Sequence, residues 1–254
     1  MTSMPKLRLA FISGLCLLSA FTNVACLKSK LYQEPPQPSS ASKPQPPAEP
    51  GDAPTASAPR AALSNYVVDC NHKLLDLTEP VREIADSLEA LNLMYNSREQ
   101  ADCSGMVHRV LQALKARCES VETPSLAAAR SAEGIARWYA ERRELILIHD
   151  ALVQSDLIKP GAVLFFGQEQ RVYRNLTAKQ AFQAIYHVGI VVSVEHDTEG
   201  RVVSYKMFQG RSPGKPTAIT NYHWRQPSRP TFPAFGNGEQ QWIAFARLCS
   251  ASSY

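Results

Sequence analysis

The chain has 254 residues and a formal net charge of +4, a length that suits one domain of ordinary size plus additional segments. Removing the first 25 residues takes away Lys6 and Arg8 but no acid, which leaves a net charge of +2. A charge this small, with no stripe of Lys and Arg interleaved with aromatic residues, argues against nucleic-acid binding.

The N-terminus has the pattern of an export signal. Lys6 and Arg8 precede an apolar run from Leu9 to Phe21, which is too short to cross a bilayer as a stable helix. No later segment reaches the roughly 18 uninterrupted apolar residues of a membrane span. We therefore expect residues 1–25 to be removed on export.

The segment Val24-Ala25-Cys26 resembles the lipobox of bacterial lipoproteins, in which the cysteine becomes the lipidated first residue. Asn23 departs from that pattern, which usually has an aliphatic residue there. The alternative is an ordinary cleavable signal with an incidental cysteine. The resemblance implies a lipid-anchored protein of the bacterial envelope that faces the periplasm, and Leu27, which is not Asp, favours the outer membrane.

Residues 26–60 are predicted to be a disordered spacer between the lipid and a folded domain over 61–254. Pro, Ala, Ser and Gln dominate residues 33–60, and such a segment cannot bury enough apolar surface to offset the entropy of ordering it. Its proline content favours extended conformations of about 3 Å per residue. The domain could then reach a partner at a distance, such as the cell wall.

Within the domain, helical periodicity comes first and β-rich segments follow. Helices are predicted at about 79–95, 103–118, 125–141 and 143–155. Strands are predicted at Ala162–Phe166, Val188–Val194, Val202–Phe208 and Trp242–Leu248. Helices followed by strands indicate an α+β fold.

Cys103 is placed at the start of an amphipathic helix, directly after Asp102. The free N–H groups and partial positive charge of a helix N-terminus favour thiolate, so we expect a pKa lowered toward neutrality. The same N–H groups can stabilise the oxyanion that forms when a thiolate attacks a carbonyl. The alternative is that Cys103 is only a small apolar residue at a helix start.

Two segments of the β-rich half could complete a catalytic site. Residues Pro160–Phe166 read as a tight turn that enters a buried strand, and His187 opens the next strand. A histidine fixed on a strand beside a thiol can act as general base. The alternative is a histidine of the core or the surface.

In order, Asp102–Gly105, Pro160–Phe166 and His187–Ile190 resemble the three signature segments of the NlpC-type cell-wall cysteine peptidases. Ala162 stands where that family usually has Asp. The resemblance implies a papain-like core in which N-terminal helices pack on an antiparallel sheet of about five strands. It further implies cleavage of a γ-D-glutamyl–diaminopimelate bond, or a neighbouring bond, in the stem peptide of peptidoglycan.

The family's third catalytic residue lies on the strand after the histidine, and it orients the imidazole through the other ring nitrogen. The resemblance puts Gln209 in this role, with His196 and His223 as rivals. Gln209 can accept the imidazole N–H but adds no charge, so it would orient the ring more than it stabilises imidazolium.

Tyr95, Asp102 and Ser104 are candidate substrate-binding residues. The family commonly has a tyrosine upstream of the cysteine, but here the loop after Tyr95 is short and lacks the usual Trp-Gly-Gly. Helix packing is the alternative role for Tyr95. Asp102 could contact a substrate amine, as in family members that cleave next to a free N-terminus, or could only cap the helix.

Three cysteines remain after the signal, the lipid site and the nucleophile are set aside: Cys70, Cys118 and Cys249. An oxidising periplasm permits one disulfide among them, and the sequence leaves its pairing open. Cys103 and Cys118 lie too far apart along one helix to bridge each other. No spacing of Cys and His suggests a zinc site.

The leading hypothesis is a monomeric cysteine hydrolase that needs no cofactor or metal and acts on peptidoglycan stem peptides. A second hypothesis is a catalytically inactive envelope-binding protein on the same scaffold, suggested by the shortened loop after Tyr95. A related possibility is an acyltransferase or a thiol hydrolase directed at lipids, because one scaffold can host several reactions.

Overall fold

The computed structural model describes residues 65–169, 171–223 and 240–249. The predicted signal over 1–25, the lipid site at Cys26 and the spacer up to residue 60 lie outside these residues. Within the described ranges, no helix combines the length and apolar character that crossing a bilayer requires.

The described residues form four α-helices and a six-stranded antiparallel sheet, which confirms an α+β fold. The helices are α1 (Thr78–Ala90), α2 (Cys103–Arg117), α3 (Ala132–Glu141) and α4 (Ala178–Ala184). The strands are β1 (Val67–Cys70), β2 (Lys73–Asp76), β3 (Ile146–Leu147), β4 (Ala162–Gly167), β5 (Ile185–His196), β6 (Val202–Gln209), β7 (Ala218–His223) and β8 (Trp242–Arg247).

The strand order in the sheet is β3-β8-β4-β5-β6-β7, and β1 pairs with β2 in a separate hairpin. All six residues of β4 are buried. Because successive side chains of a strand point to opposite faces, β4 must be covered on both. Helices α1, α2 and α3 all pack against β5, the strand that carries His187.

Three of the predicted helices exist with shifted ends. The first runs from Thr78 to Ala90 rather than over 79–95, and the second begins at Cys103 as expected. The third starts at Ala132, later than predicted, because the Ser131 side chain accepts the Gly134 N–H and caps the helix there.

The predicted helix over 143–155 is wrong. Ile146 and Leu147 instead form β3, which pairs with β8 at the edge of the sheet, and the Ile148 N–H continues the pairing to the Ile243 carbonyl. A short 3₁₀ turn at Ser155–Leu157 follows. The apolar run around Ile146 is compatible with both helical and strand periodicity. It forms a strand because the edge of the sheet is available for pairing.

A disulfide joins Cys70 at the end of β1 to Cys118, which caps the C-terminus of α2, with 5.3 Å between their Cα atoms. This settles the pairing that the sequence left open, since Cys249 is free and buried. The bridge ties the β1–β2 hairpin to the helix whose first residue is Cys103.

Reduction of this disulfide is expected to lower the free energy of unfolding by about 4 kcal/mol, because a closed loop of 48 residues loses its constraint in the unfolded chain. Urea unfolding with and without dithiothreitol measures the difference. The double variant Cys70→Ala/Cys118→Ala should be insensitive to the reductant. Equal urea midpoints for the oxidised and reduced wild-type protein would contradict the prediction.

Candidate active site

The first turn of α2 is built around Asp102 and Cys103. Asp102 has extended backbone angles, and its Oδ1 accepts the Gly105 N–H at 2.8 Å, so it is the N-cap of the helix. Gly105 lies so close to the preceding loop that a Cβ there would come within 2.4 Å of the Gln100 carbonyl oxygen. Cys103 therefore stands at a tightly fixed helix N-terminus.

Arg130 forms a two-pronged salt bridge with the carboxylate of Asp102. Its two terminal nitrogens bond Asp102 Oδ1 at 3.0 Å and Oδ2 at 2.9 Å. The same guanidinium donates to Ser104 Oγ at 2.8 Å and to the Ser97 carbonyl. Asp102 thus caps the helix and pairs with Arg130, and a substrate amine would have to displace that pair.

His187 is held by a hydrogen bond between its Nε2 and Gln209 Oε1. The Gln209 amide nitrogen donates in turn to Thr220 Oγ1 and to the Tyr222 hydroxyl, both at 2.7 Å. With both amide hydrogens used on β7, the Gln209 oxygen is directed at the imidazole. The ring nitrogen Nδ1 is then the one free to act as base.

Gly210 joins the strand half of the site to the helix half. A Cβ on Gly210 would lie 2.4 Å from the Asp102 carbonyl carbon and 2.7 Å from the Cys103 nitrogen. The backbone that follows Gln209 therefore presses directly on the backbone that carries the thiol. Only glycine permits this approach.

The environment of Cys103 does not lower the pKa of its thiol, contrary to our expectation. Burial, followed by the negative charge of Asp102, raises this pKa above its ordinary value. Backbone N–H groups of Val188, Ser104 and Cys103 act in the opposite direction without prevailing. The helix N-terminus is present as predicted, but desolvation outweighs it.

Burial lowers the pKa of His187, and the hydrogen bond that the imidazole donates to Gln209 opposes that shift. Both members of the pair are consequently neutral near pH 7. No hydrogen bond joins Cys103 Sγ to His187 within the described part of the chain, although both side chains line one cavity. Such contacts are often loose before substrate binds, so the resting site is a neutral thiol beside a neutral imidazole.

Cys103 lines two cavities, and both volumes suit small ligands. The cavity of about 570 Å³ is lined by His187, Gln209 and Tyr95, among others. The cavity of about 660 Å³ is lined by Asp102 and Ser104, among others. We call them the histidine-side cavity and the aspartate-side cavity.

Tyr95, the candidate substrate-binding residue that lies outside the first turn of α2, lines the histidine-side cavity together with Cys103. Burial raises the pKa of Tyr95, and Cys103 and Asp102 add to that shift. Ser104 is buried, and its hydroxyl accepts a hydrogen bond from Arg130 at the N-terminus of α2. The rivals of Gln209, His196 and His223, are exposed and line neither cavity.

Sequence reasoning missed three residues of this region. Arg130 lies 28 positions from Asp102 and offers no local signal. Tyr186 is exposed and lines both cavities, and its place beside His187 could have marked it. Tyr222 lies on β7, a strand that we did not predict, although its two-residue spacing from Thr220 puts both on one face.

Searches against protein-family models, curated proteins and solved structures find no match for this chain. A thiol beside an oriented imidazole, with backbone N–H groups around the sulfur, can attack a carbonyl carbon and form a thioester.

Alkylation of Cys103 by iodoacetamide is expected to be slow at pH 7 and to rise with a midpoint above ~8.5, the ordinary thiol value. Asp102→Asn should lower that midpoint, because the loss of a nearby negative charge favours thiolate. Mass spectrometry of the labelled peptide gives both curves. A wild-type midpoint below ~8.5, or an upward shift in the variant, would contradict the assignment.

Cys103→Ala is the control for this experiment. Burial raises the pKa of Cys249 to about 12, and Cys70 and Cys118 are joined in a disulfide. The variant therefore reports any labelling that does not come from Cys103.

Gly210→Ala is expected to lower the free energy of unfolding by about 1–3 kcal/mol, because the new methyl group meets the backbone of Asp102 and Cys103. Gly189→Ala is the matched control on β5, where the three atoms nearest to the new methyl group all belong to the flexible Met207 side chain. Urea unfolding measures both. An equal or smaller loss in Gly210→Ala than in Gly189→Ala would contradict the close approach.

Proposed function

We propose that this protein is a cysteine hydrolase that cleaves an amide bond in the stem peptide of peptidoglycan. The observation that carries the proposal is the common cavity of Cys103, His187 and Gln209. These are the three residues that the ordered resemblance to NlpC-type peptidases puts in catalytic roles. A helix that begins with the cysteine and packs on the strand with the histidine also supports a papain-like core.

In the proposed first step, Cys103 Sγ attacks the amide carbonyl carbon while His187 Nδ1 takes the thiol proton. Because both groups are neutral at rest, proton transfer accompanies the attack instead of preceding it. Gln209 holds the ring at Nε2 throughout. The backbone N–H of Cys103 is available to the oxyanion that forms.

The tetrahedral intermediate then breaks its C–N bond, and His187 returns the proton to the leaving amine. A thioester on Cys103 remains. Water attacks this thioester with His187 again as base, the C–S bond breaks, and the thiol is restored with the acid product released. No oxidant, reductant or metal enters the balance.

The substrate side of the proposal combines the site with the N-terminus of the chain. An export signal, a lipid on Cys26 and a proline-rich spacer would present the domain to the cell wall from a membrane. The γ-D-glutamyl–diaminopimelate bond is the one that the family resemblance favours. The protein would act as a monomer with no cofactor.

An inactive envelope-binding protein is the competing candidate. That hypothesis expects a buried Cys103 or an occluded groove. Cys103 is instead half-buried and lines two open cavities, which favours the hydrolase. The acyltransferase alternative differs only in the group that attacks the thioester, which would be another nucleophile in place of water.

Incubation of the purified protein with muropeptides is expected to release new amines, read by mass spectrometry of the digest. Cys103→Ala should release none above background, and His187→Ala should be slower by about 10²- to 10⁴-fold, the usual contribution of a general base. Cys249→Ala, a buried cysteine away from both cavities, is the matched control and should keep activity. Equal product from wild-type and Cys103→Ala protein would refute the hydrolase.

A further inference from the structure

The histidine-side cavity carries two cations that the proposed chemistry does not use. Arg211 and Lys215 line it together with Cys103 and His187. Both lie on the loop between β6 and β7, and both are exposed. Among the described lining residues, Glu169 is the one carboxylate, so the wall has an excess of positive charge.

The loop that carries these cations is fixed in place. Gly210 lies against the Cys103 backbone, and Arg211 follows it directly. The Lys215 carbonyl accepts the Tyr95 N–H at 3.0 Å, and the Thr217 N–H bonds the Leu93 carbonyl at 2.8 Å. The stems of both side chains are therefore held at defined places on the cavity wall.

Neither cation has an anionic partner within the described residues. Other surface arginines do, as in the pairs Arg82–Glu79, Arg137–Glu133 and Arg201–Asp197. Burial raises the pKa of the Tyr222 hydroxyl, and the positive charge of Arg211 opposes that shift, so this charge acts on a residue of the same cavity. Among residues 65–169, 171–223 and 240–249, no carboxylate pairs with either cation in place of a ligand.

The roles of the two cavities follow from the direction of proton transfer. His187 must give its proton to the leaving amine, so the leaving part of the substrate lies in the cavity that His187 lines. The acyl part then lies in the aspartate-side cavity, where Asp102 and Ser104 are bonded to Arg130. This step rests on the hydrolase function proposed above.

We propose that Arg211 and Lys215 are specificity-determining residues that bind a carboxylate on the leaving amine component of the substrate. A guanidinium and an ammonium on one wall suit a carboxylate, because the arginine fork matches both carboxylate oxygens and lysine adds a point charge. The substrate class is thus a peptide in which the residue after the cleaved bond is acidic or carries a free carboxylate.

Two peptides that differ only in charge test this assignment. One is L-alanyl-γ-D-glutamyl-meso-diaminopimelate, and the other has both diaminopimelate carboxylates converted to carboxamides. Calorimetry measures their binding to the Cys103→Ala protein, in which no turnover interferes. The carboxylate peptide is expected to bind about three- to tenfold more tightly, and added salt should reduce the ratio.

Addition of Arg211→Gln and Lys215→Gln should bring the two affinities to equality while binding of the carboxamide peptide stays unchanged. Lys179→Gln, which removes an exposed cation on α4 outside both cavities, should keep the preference. Equal binding of the two peptides before the substitutions, a preference that survives them, or no binding of either peptide would overturn the assignment.

Turnover of the same peptides separates this assignment from the hydrolase proposal. A wild-type protein that cleaves neither peptide, while Cys103→Ala keeps the charge preference, would count against the hydrolase and leave the carboxylate site standing. Cleavage of both peptides at equal kcat/KM with equal binding would support the hydrolase and refute the carboxylate site.

Discussion

The close contact between the backbone at Gly210 and the backbone at Asp102 and Cys103 is the constraint on which the site depends. It joins the end of β6, directly after Gln209, to the first turn of α2. It adds to the packing of α2 on β5, the strand that carries His187, in fixing the thiol relative to the imidazole. A second glycine, Gly105, makes a similarly close approach to the Gln100 backbone in the loop before the helix. The absence of a Cβ at Gly105 and at Gly210 thus allows the backbone contacts that fix the position of the Cys103 thiol.

The polar groups around this contact form two separate hydrogen-bonded sets, one around Asp102 and one around Gln209. On the helix side, Asp102 is shared between the Gly105 N–H and the Arg130 guanidinium. On the strand side, Gln209 is shared between His187 and β7. Buried polar groups need partners, so each set is satisfied internally. The thiol of Cys103 and the imidazole of His187 both stay neutral, since burial raises the pKa of the thiol and lowers that of the imidazole.

Much of the architecture could be predicted because its signals are local. Helical periodicity located α1 and α2, and a continuous apolar run located β4. The predictions failed where local signals conflict or are absent. The apolar run at Ile146 became an edge strand because β8 was available to pair with it. The turn of the β1–β2 hairpin has two residues with positive φ, Asn71 and His72. The usual sequence signal for such a turn is Asn-Gly, which is absent here, so the hairpin was not predicted.

For the site, the sequence by itself determined the order and type of the chemical groups: a cysteine after an N-capping aspartate, a histidine that opens a strand, and a glutamine on the next. These depend on spacing along the chain. Tertiary structure alone decided that Arg130 pairs with Asp102 and that Cys70 forms a disulfide with Cys118. It also placed Arg211 and Lys215 in the cavity that Cys103 lines. It also decided the direction of the thiol pKa. Burial and distant partners set these properties, and neither can be read from neighbours in sequence.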